Sequence, residues 1–153
     1  MSYASSIPTA LPNLVAMLQA APGLAGVEVT DGPPTEDPQV LEAVCVGWSP
    51  SEDIDAVEAA DERGDLASAR QFENYTVHCS VNVLNGDRDL PAARVRAYQL
   101  FGFVGQVLAD DQTLRGAVMQ AGIRDHNLRQ EDTNAGMLAR VNFGIAVRAS
   151  TRR

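Results

Sequence analysis

Four residues carry the side chains best suited to nucleophilic catalysis or metal binding: two histidines and two cysteines. His78 and Cys79 are neighbours in a stretch whose alternating pattern predicts a strand. Consecutive strand residues point to opposite faces, so these two cannot act together as a base and a nucleophile. His126 and Cys45 stand apart in two further predicted strands. No CxxC or HxxxH spacing links the four residues, so we expect no zinc site. Because both cysteines fall in predicted strands, we expect buried thiols, which suit a reducing compartment. We expect both histidines at polar surface positions.

The acidic run from Asp53 to Glu58 resembles the start of a calcium-binding loop only superficially. Its fifth position is Val57, and the glycine and final glutamate that such a loop needs are out of place. We therefore expect a solvated charged segment. The chain has many acids, so an acid–base site made of two carboxylates stays an open alternative, but nothing in the sequence singles out one pair. The sequence thus predicts no catalytic residue, no cofactor and no metal ligand, and we expect the protein not to be an enzyme.

The charges are divided unevenly along the chain of 153 residues, whose net charge is −8. Residues 1–69 hold twelve acids and one arginine, whereas residues 70–153 hold eight acids and eleven arginines, and the chain has no lysine. An acidic domain lacks the basic footprint of a sequence-specific DNA-binding protein. The split either serves solubility alone or brings acidic and basic surfaces together between copies of the chain, because head-to-tail contacts close into rings.

The length fits one domain covering residues 1–153, and no apolar run approaches the roughly 18 residues of a membrane span. The first residues lack the basic start and apolar core of a signal peptide. The segment 49–69 holds seven acids and one arginine, and we expect it to project from the sheet as a long acidic insertion. Its seven acids are Glu52, Asp53, Asp55, Glu58, Asp61, Glu62 and Asp65.

Hydrophobic periodicity predicts an α+β fold with a mostly antiparallel sheet of four to five strands. A central amphipathic helix and an N-terminal helix pack on one face of it. The predicted strands are 26–30, 39–48, 70–85, 123–130 and 137–149; the predicted helices are 7–21, 89–108 and a short one at 114–121; the last hairpin loop is 131–136. In the strand 70–85 the tyrosine, cysteine and valine side chains share one face, which we expect to lie under the central helix.

The central helix is the element that must cover the sheet. Asp89 is placed to cap it and Pro91 falls in its first turn, where a missing N–H is harmless. The helical period predicts an apolar stripe consisting of Val95, Tyr98, Phe101, Val104, Val107 and Leu108. Gly102 inside a helix costs roughly 1 kcal/mol relative to alanine, so we expect a strand backbone to approach it closely.

Three stretches carry a resemblance: residues 11–18 (LPNLVAML), 73–83 (ENYTVHCSVNV) and 134–147 (NAGMLARVNFGIAV). The predicted elements follow one another as a helix, two strands, the acidic insertion, a long strand, the central helix and a two-stranded hairpin. In this order the chain resembles the tail terminator proteins of long-tailed, siphovirus-like bacteriophages. The likeness covers most of the chain and lies in its layout rather than in a diagnostic motif. It implies an α/β fold with helices on one face of the sheet, and a structural protein without enzymatic activity.

The resemblance also implies a place and a set of partners. The protein would form a homo-hexameric ring on the head-proximal end of the virion tail, assembled in the host cytoplasm. The ring would stop polymerisation of the tail tube protein and offer a surface to head–tail connector proteins. Double-stranded DNA would pass through the lumen without sequence-specific binding, and no membrane is involved. We expect part of segment 49–69 to face the lumen or the adjoining ring, which makes its seven acids candidate interface or lumen residues. We expect Arg140 and Arg148 to make contacts between subunits.

Three other interpretations stay open at this point. The first is another head–tail junction component, such as a connector or stopper ring. The second is a small cytoplasmic α/β enzyme or ligand-binding domain, which predicts a concave pocket with perturbed titrating groups. The third is an interaction module of a larger complex.

Overall fold

The structure is a computed structural model that describes residues 4–37, 39–63 and 71–150. In chain order its elements are helix α1 (Ile7–Ala20), a 3-10 turn (Pro22–Leu24), β1 (Glu28–Asp31), β2 (Glu42–Val46), β3 (Val57–Arg63), β4 (Gln71–Asn85), helix α2 (Leu90–Asp110), β5 (Gln120–Thr133) and β6 (Gly136–Ser150). The predicted α+β fold is confirmed, with six strands in one sheet among the described residues. Neither helix in these ranges is long and apolar enough to cross a membrane.

The sheet has the order β1-β2-β4-β6-β5, and β3 also pairs with β4. Within the described ranges, β1 and β2 run parallel and the four other strand pairs are antiparallel. Strand β6 pairs with β4 along almost its whole length. Along the opposite side of β4, β2 pairs with residues 79–83 and β3 pairs with residues 71–77.

The alternation in β4 and β6 sets the two faces of the sheet. On β4 the side chains of Tyr75, Val77, Cys79, Val81 and Val83 are buried beneath the helices, as predicted. Their β6 partners on this helix-covered face are also buried, namely Ala139, Val141, Phe143, Ile145 and Val147. The opposite, helix-free face carries Thr76, His78, Ser80 and Asn82 of β4 and Arg140, Asn142, Gly144 and Arg148 of β6.

Helix α2 starts where predicted, because the Asp89 carboxylate accepts a hydrogen bond from the Ala92 amide at 3.0 Å. Its buried stripe is rotated from the predicted one and consists of Ala93, Ala97, Leu100, Val104 and Leu108. Val95 is 69% exposed, so its predicted core position is wrong. The two alanines explain the rotation, since small side chains let the helix backbone lie close to the sheet. The close backbone approach predicted at Gly102 is also wrong, because a Cβ there would meet nothing within 4 Å.

The segment predicted as a projecting loop, 49–69, contains strand β3. Val57 to Arg63 pairs with β4 in antiparallel register, so the backbone groups of this polar stretch are satisfied by strand hydrogen bonds. The prediction was wrong because the alternating signal is weak: Val57 is partly buried, but Ala59 on the same face of the strand is exposed. Residues 64–69 of the predicted segment lie outside the described ranges.

The short helix predicted at 114–121 is wrong as well. Leu114, Arg115 and Gly116 all have positive φ values, of 49°, 60° and 84°, which no right-handed helix accommodates. The Asp111 carboxylate holds this turn by accepting bonds from the Thr113 and Arg115 amides. Strand β5 then begins at Gln120 and runs to Thr133, so it takes up half of the predicted hairpin loop.

Candidate functional site

The predicted interface acids that the structure describes lie on the link between β2 and β3 and on β3 itself. Both ends of the link between β2 and β3 bond to the same residue of β4: the Trp48 amide donates to the His78 carbonyl at 2.8 Å, and the His78 amide donates to the Ala56 carbonyl at 2.9 Å. The chain between them, residues 49–55, therefore leaves the sheet as a short excursion that carries Glu52, Asp53 and Asp55. All three acids are exposed.

The remaining acids of this segment follow on β3. Glu58 and Asp61 are exposed, and the register places Glu58 opposite Thr76 on the helix-free face. A Glu58 carboxylate oxygen lies 3.6 Å from Nε2 of His78, which is an ion-pair distance when the imidazole is protonated. Asp61 pairs with Glu73 in the ladder. The side chain of Glu62 and the whole of Asp65 lie outside the described part of the chain.

The two predicted interface arginines lie on β6 and are half-buried on the helix-free face. Arg140 Nε donates to the Asn82 side-chain oxygen at 2.6 Å, and its guanidinium carbon lies 5.6 Å from the centre of the Trp48 ring. Burial lowers the pKa of Arg140. Arg148 Nη1 donates to the Asn74 side-chain oxygen at 3.1 Å. Both guanidinium groups are thus held in fixed positions by their own subunit.

The arginine-bearing hairpin forms the opposite edge of the sheet from β3. Strands β5 and β6, from Gln120 to Ser150, hold four arginines and three acids, a net of +1, whereas residues 49–63 hold six acids and one arginine, a net of −5. The outer strands β3 and β5 each pair with one neighbour in the described sheet. The division of charge along the sequence therefore becomes a division across the width of the sheet.

A polar cleft of about 750 Å³ lies on the helix-free face between the excursion and the β5–β6 hairpin. Its charged lining residues are Asp125, Arg129, Glu131 and Arg140, and its lining also includes His78, Asn127 and Asn142. The Asn142 amide nitrogen donates to the Asn127 side-chain oxygen at 3.1 Å. Sequence analysis missed the two asparagines and Arg129, because their only signal was polar residues on alternating strand positions.

Among the described residues, no three His, Cys, Asp or Glu side chains come close enough together to hold a metal ion. His126 of β5 is exposed, as predicted for a surface histidine, and its Nδ1 lies 3.3 Å from the Tyr98 hydroxyl of α2. Its ring is 5.0 Å from that of Phe101. This histidine helps to fix the central helix on the edge strand.

Both thiols are free and buried, as predicted. Burial raises the pKa of Cys79 to about 12 and also raises the pKa of Cys45. Because the thiolate is the reactive form, we expect neither cysteine to react with a disulfide reagent such as DTNB at pH 8 until the protein unfolds. A Ser51→Cys variant, with its new thiol on the exposed excursion, serves as the control and should react at once. Rapid labelling of the native protein at either natural cysteine would contradict this prediction.

No model of a protein family matches this chain, and no curated protein matches it. Among solved structures, a chain from the virion of a native gene transfer agent particle is 14% identical, with a TM-score of 0.42; the match covers 92% of this chain and 93% of that chain. The PVC sheath/tube terminator of an extracellular contractile injection system, in its extended state, is 15% identical, with a TM-score of 0.35; the match covers 100% of this chain and 59% of that chain. Because both TM-scores lie below 0.5, neither likeness carries an argument about function, which has to be argued from the residues of this chain.

Proposed function

We propose that this protein is a structural subunit of a ring that caps the head-proximal end of a phage tail tube. The ring stops polymerisation of the tube protein and gives head–tail connector proteins a surface to join. It consists of six identical subunits, forms in the host cytoplasm, and lets double-stranded DNA pass through its lumen. The proposal extends the sequence resemblance to tail terminator proteins.

The observation that supports the ring most directly is the charge difference between the β3 edge of the sheet and the opposite edge, formed by the β5–β6 hairpin. A contact that joins the acidic side of one copy to the arginine-bearing side of the next uses two different surfaces. Such a heterologous contact repeats from copy to copy and closes into a ring when the rotation allows it. Complementary charge also guides the encounter between copies and disfavours wrong pairings.

The same charge distribution suits a channel for DNA. Acids on the lumen wall repel phosphates, so a duplex slides past without being held. The acids of segment 49–69 that do not meet the next copy are the candidates for this wall or for the surface that meets the adjoining ring.

Deletion of the gene in its producing host tests the function. We expect overlong tails without heads, because nothing then stops tube growth. Electron microscopy of the particles measures tail length, and the gene supplied from a plasmid should restore it. Headless tails of normal length would instead assign the protein to a connector or stopper ring, and normal particles would contradict the proposal.

A further inference from the structure

The turn between β4 and α2 contains the only asparagine of this chain that is followed by glycine. The sequence has seven asparagines, and Asn85 alone precedes a glycine, Gly86. At such a pair the backbone nitrogen of the glycine can attack the side-chain carbonyl carbon of the asparagine, because no side chain on the glycine shields that nitrogen. The two groups belong to the same short stretch of chain, so the reaction is intramolecular and needs no enzyme.

The Asn85 side chain is held as the electrophile of this reaction. Its Oδ1 accepts hydrogen bonds from the Asp87 amide at 2.9 Å and, more weakly, from the Asp89 amide at 3.4 Å. Negative charge develops on this oxygen when the carbonyl carbon is attacked, and the two amides stabilise that charge. The bond to the Asp87 amide also keeps the side chain folded over the intervening peptide group, which contains the Gly86 nitrogen.

The Gly86 amide is available as the nucleophile. Gly86 is exposed, and its amide donates no hydrogen bond to any residue in the described ranges. A Cβ at Gly86 would meet only the Ala135 carbonyl oxygen, at 3.9 Å, so a new ring has room to form there. Asp31-Gly32, at the end of β1, differs in this respect, because the Gly32 amide donates to the Val46 carbonyl at 2.8 Å. The nitrogen of Gly32 is therefore occupied, whereas that of Gly86 faces solvent.

We propose that Asn85 is a site of spontaneous covalent modification in the folded protein. Solvent base removes the Gly86 amide proton, the Gly86 nitrogen bonds to Cγ of Asn85, and the bond between Cγ and Nδ2 breaks. The departing nitrogen takes up a proton and leaves as ammonia, which gives a cyclic imide. Water then opens the imide at either carbonyl. One opening gives an aspartate at residue 85, and the other gives an isoaspartyl linkage, in which the main chain runs through the former side chain.

The isoaspartyl product does not fit the native turn. It adds one carbon to the main chain between residues 85 and 86, where the packing is tight, because a Cβ at Gly136 would collide with the Asn85 carbonyl group. Asn85 also pairs with Met137 at the end of the β4–β6 ladder. The aspartyl product leaves the main chain unchanged, and its carboxylate can still accept the Asp87 amide. We therefore expect the isoaspartyl form to melt several degrees below the native protein, and an Asn85→Asp variant to melt with it.

Mass spectrometry of tryptic fragments tests the proposal. The folded full-length protein is incubated at pH 8, and trypsin then releases residues 71–88, which lie between two arginines. This fragment also contains Asn74 and Asn82, which serve as internal controls because each precedes a larger residue. We expect the mass gain of an amide-to-acid exchange at Asn85 alone, in both aspartyl and isoaspartyl forms. Conversion should be slower at pH 6, because the amide must lose its proton before it attacks.

Two variants separate the geometry of the turn from the dipeptide itself. Gly86→Ala keeps the asparagine and has room for the added methyl group, so we expect an unchanged melting temperature and conversion slowed by about tenfold or more. Asp31→Asn places another asparagine before a glycine, but one whose amide is already bonded. We expect this asparagine to convert at about one tenth of the Asn85 rate or less while the protein is folded, and as fast as Asn85 in urea.

An Asn85 that stays unmodified in the folded protein, while it converts fully in urea, would overturn the proposal. Equal conversion of Asn74 and Asn82 would overturn it too. Equal rates at residues 31 and 85 of the folded Asp31→Asn variant would show that the unbonded amide of Gly86 does not select the site. None of these results bears on the proposed ring, because assembly is not measured in this experiment.

Discussion

Replacing Glu73 by alanine should lower the free energy of unfolding by about 3 kcal/mol, the largest effect we expect from one side chain. Glu73 is 1% exposed, and its carboxylate accepts hydrogen bonds from the Ser5 hydroxyl at 2.6 Å and from both the amide and the hydroxyl of Ser6 at 2.9 Å. These bonds join the start of helix α1 to strand β4, across 67 residues or more. Alanine would leave the three donors without this acceptor in a partly buried site.

The melting temperature measures this effect, and we expect a fall of roughly 6–12 °C for a chain of this size. A Tyr75→Phe variant should lose less, about 1 kcal/mol, because only the 2.8 Å contact between the Tyr75 and Ser6 hydroxyls is removed. Glu36→Ala, at an exposed position in the segment between β1 and β2, controls for loss of an acid. A Glu73→Ala variant as stable as the Glu36 control would show that the carboxylate does not anchor the helix.

The central strands of the sheet could be predicted from the sequence because apolar and polar residues alternate regularly along them. In β4 and β6, large apolar residues recur at every second position, and a one-residue shift would move all of them to the wrong face. Glycine and proline also marked helix ends correctly, as at Pro22 after α1. Local sequence therefore determined which residues are buried wherever the period was strong.

Three features depended on partners distant in sequence and were not predictable. Strand β3 has only small or charged residues after Val57, and its structure comes from pairing with β4. The rotation of α2 follows from Ala93 and Ala97, which look unremarkable until the sheet packs against them. The cleft combines the excursion with β4, β5 and β6, and no single stretch contains enough of it to be recognised.

Neutralising the exposed acids of the excursion should abolish most ring assembly without unfolding the protein. The variant Glu52→Gln, Asp53→Asn, Asp55→Asn changes three exposed side chains, so we expect the melting temperature to stay within about 2 °C. Each lost charge contact weakens association by about 0.5–1 kcal/mol, which amounts to roughly a 10- to 100-fold loss at each subunit contact. The measurement is the fraction of tails capped and joined to heads when the variant complements the deletion.

The control must distinguish the effect of where the acids lie from the effect of the overall charge. A control variant with Glu36→Gln, Asp37→Asn and Asp110→Asn changes the net charge by the same amount at exposed sites away from the excursion. We expect this control to cap tails normally. Equal losses in the test and control variants would show that net charge alone governs assembly, and the polarised sheet would then have no part in building the ring.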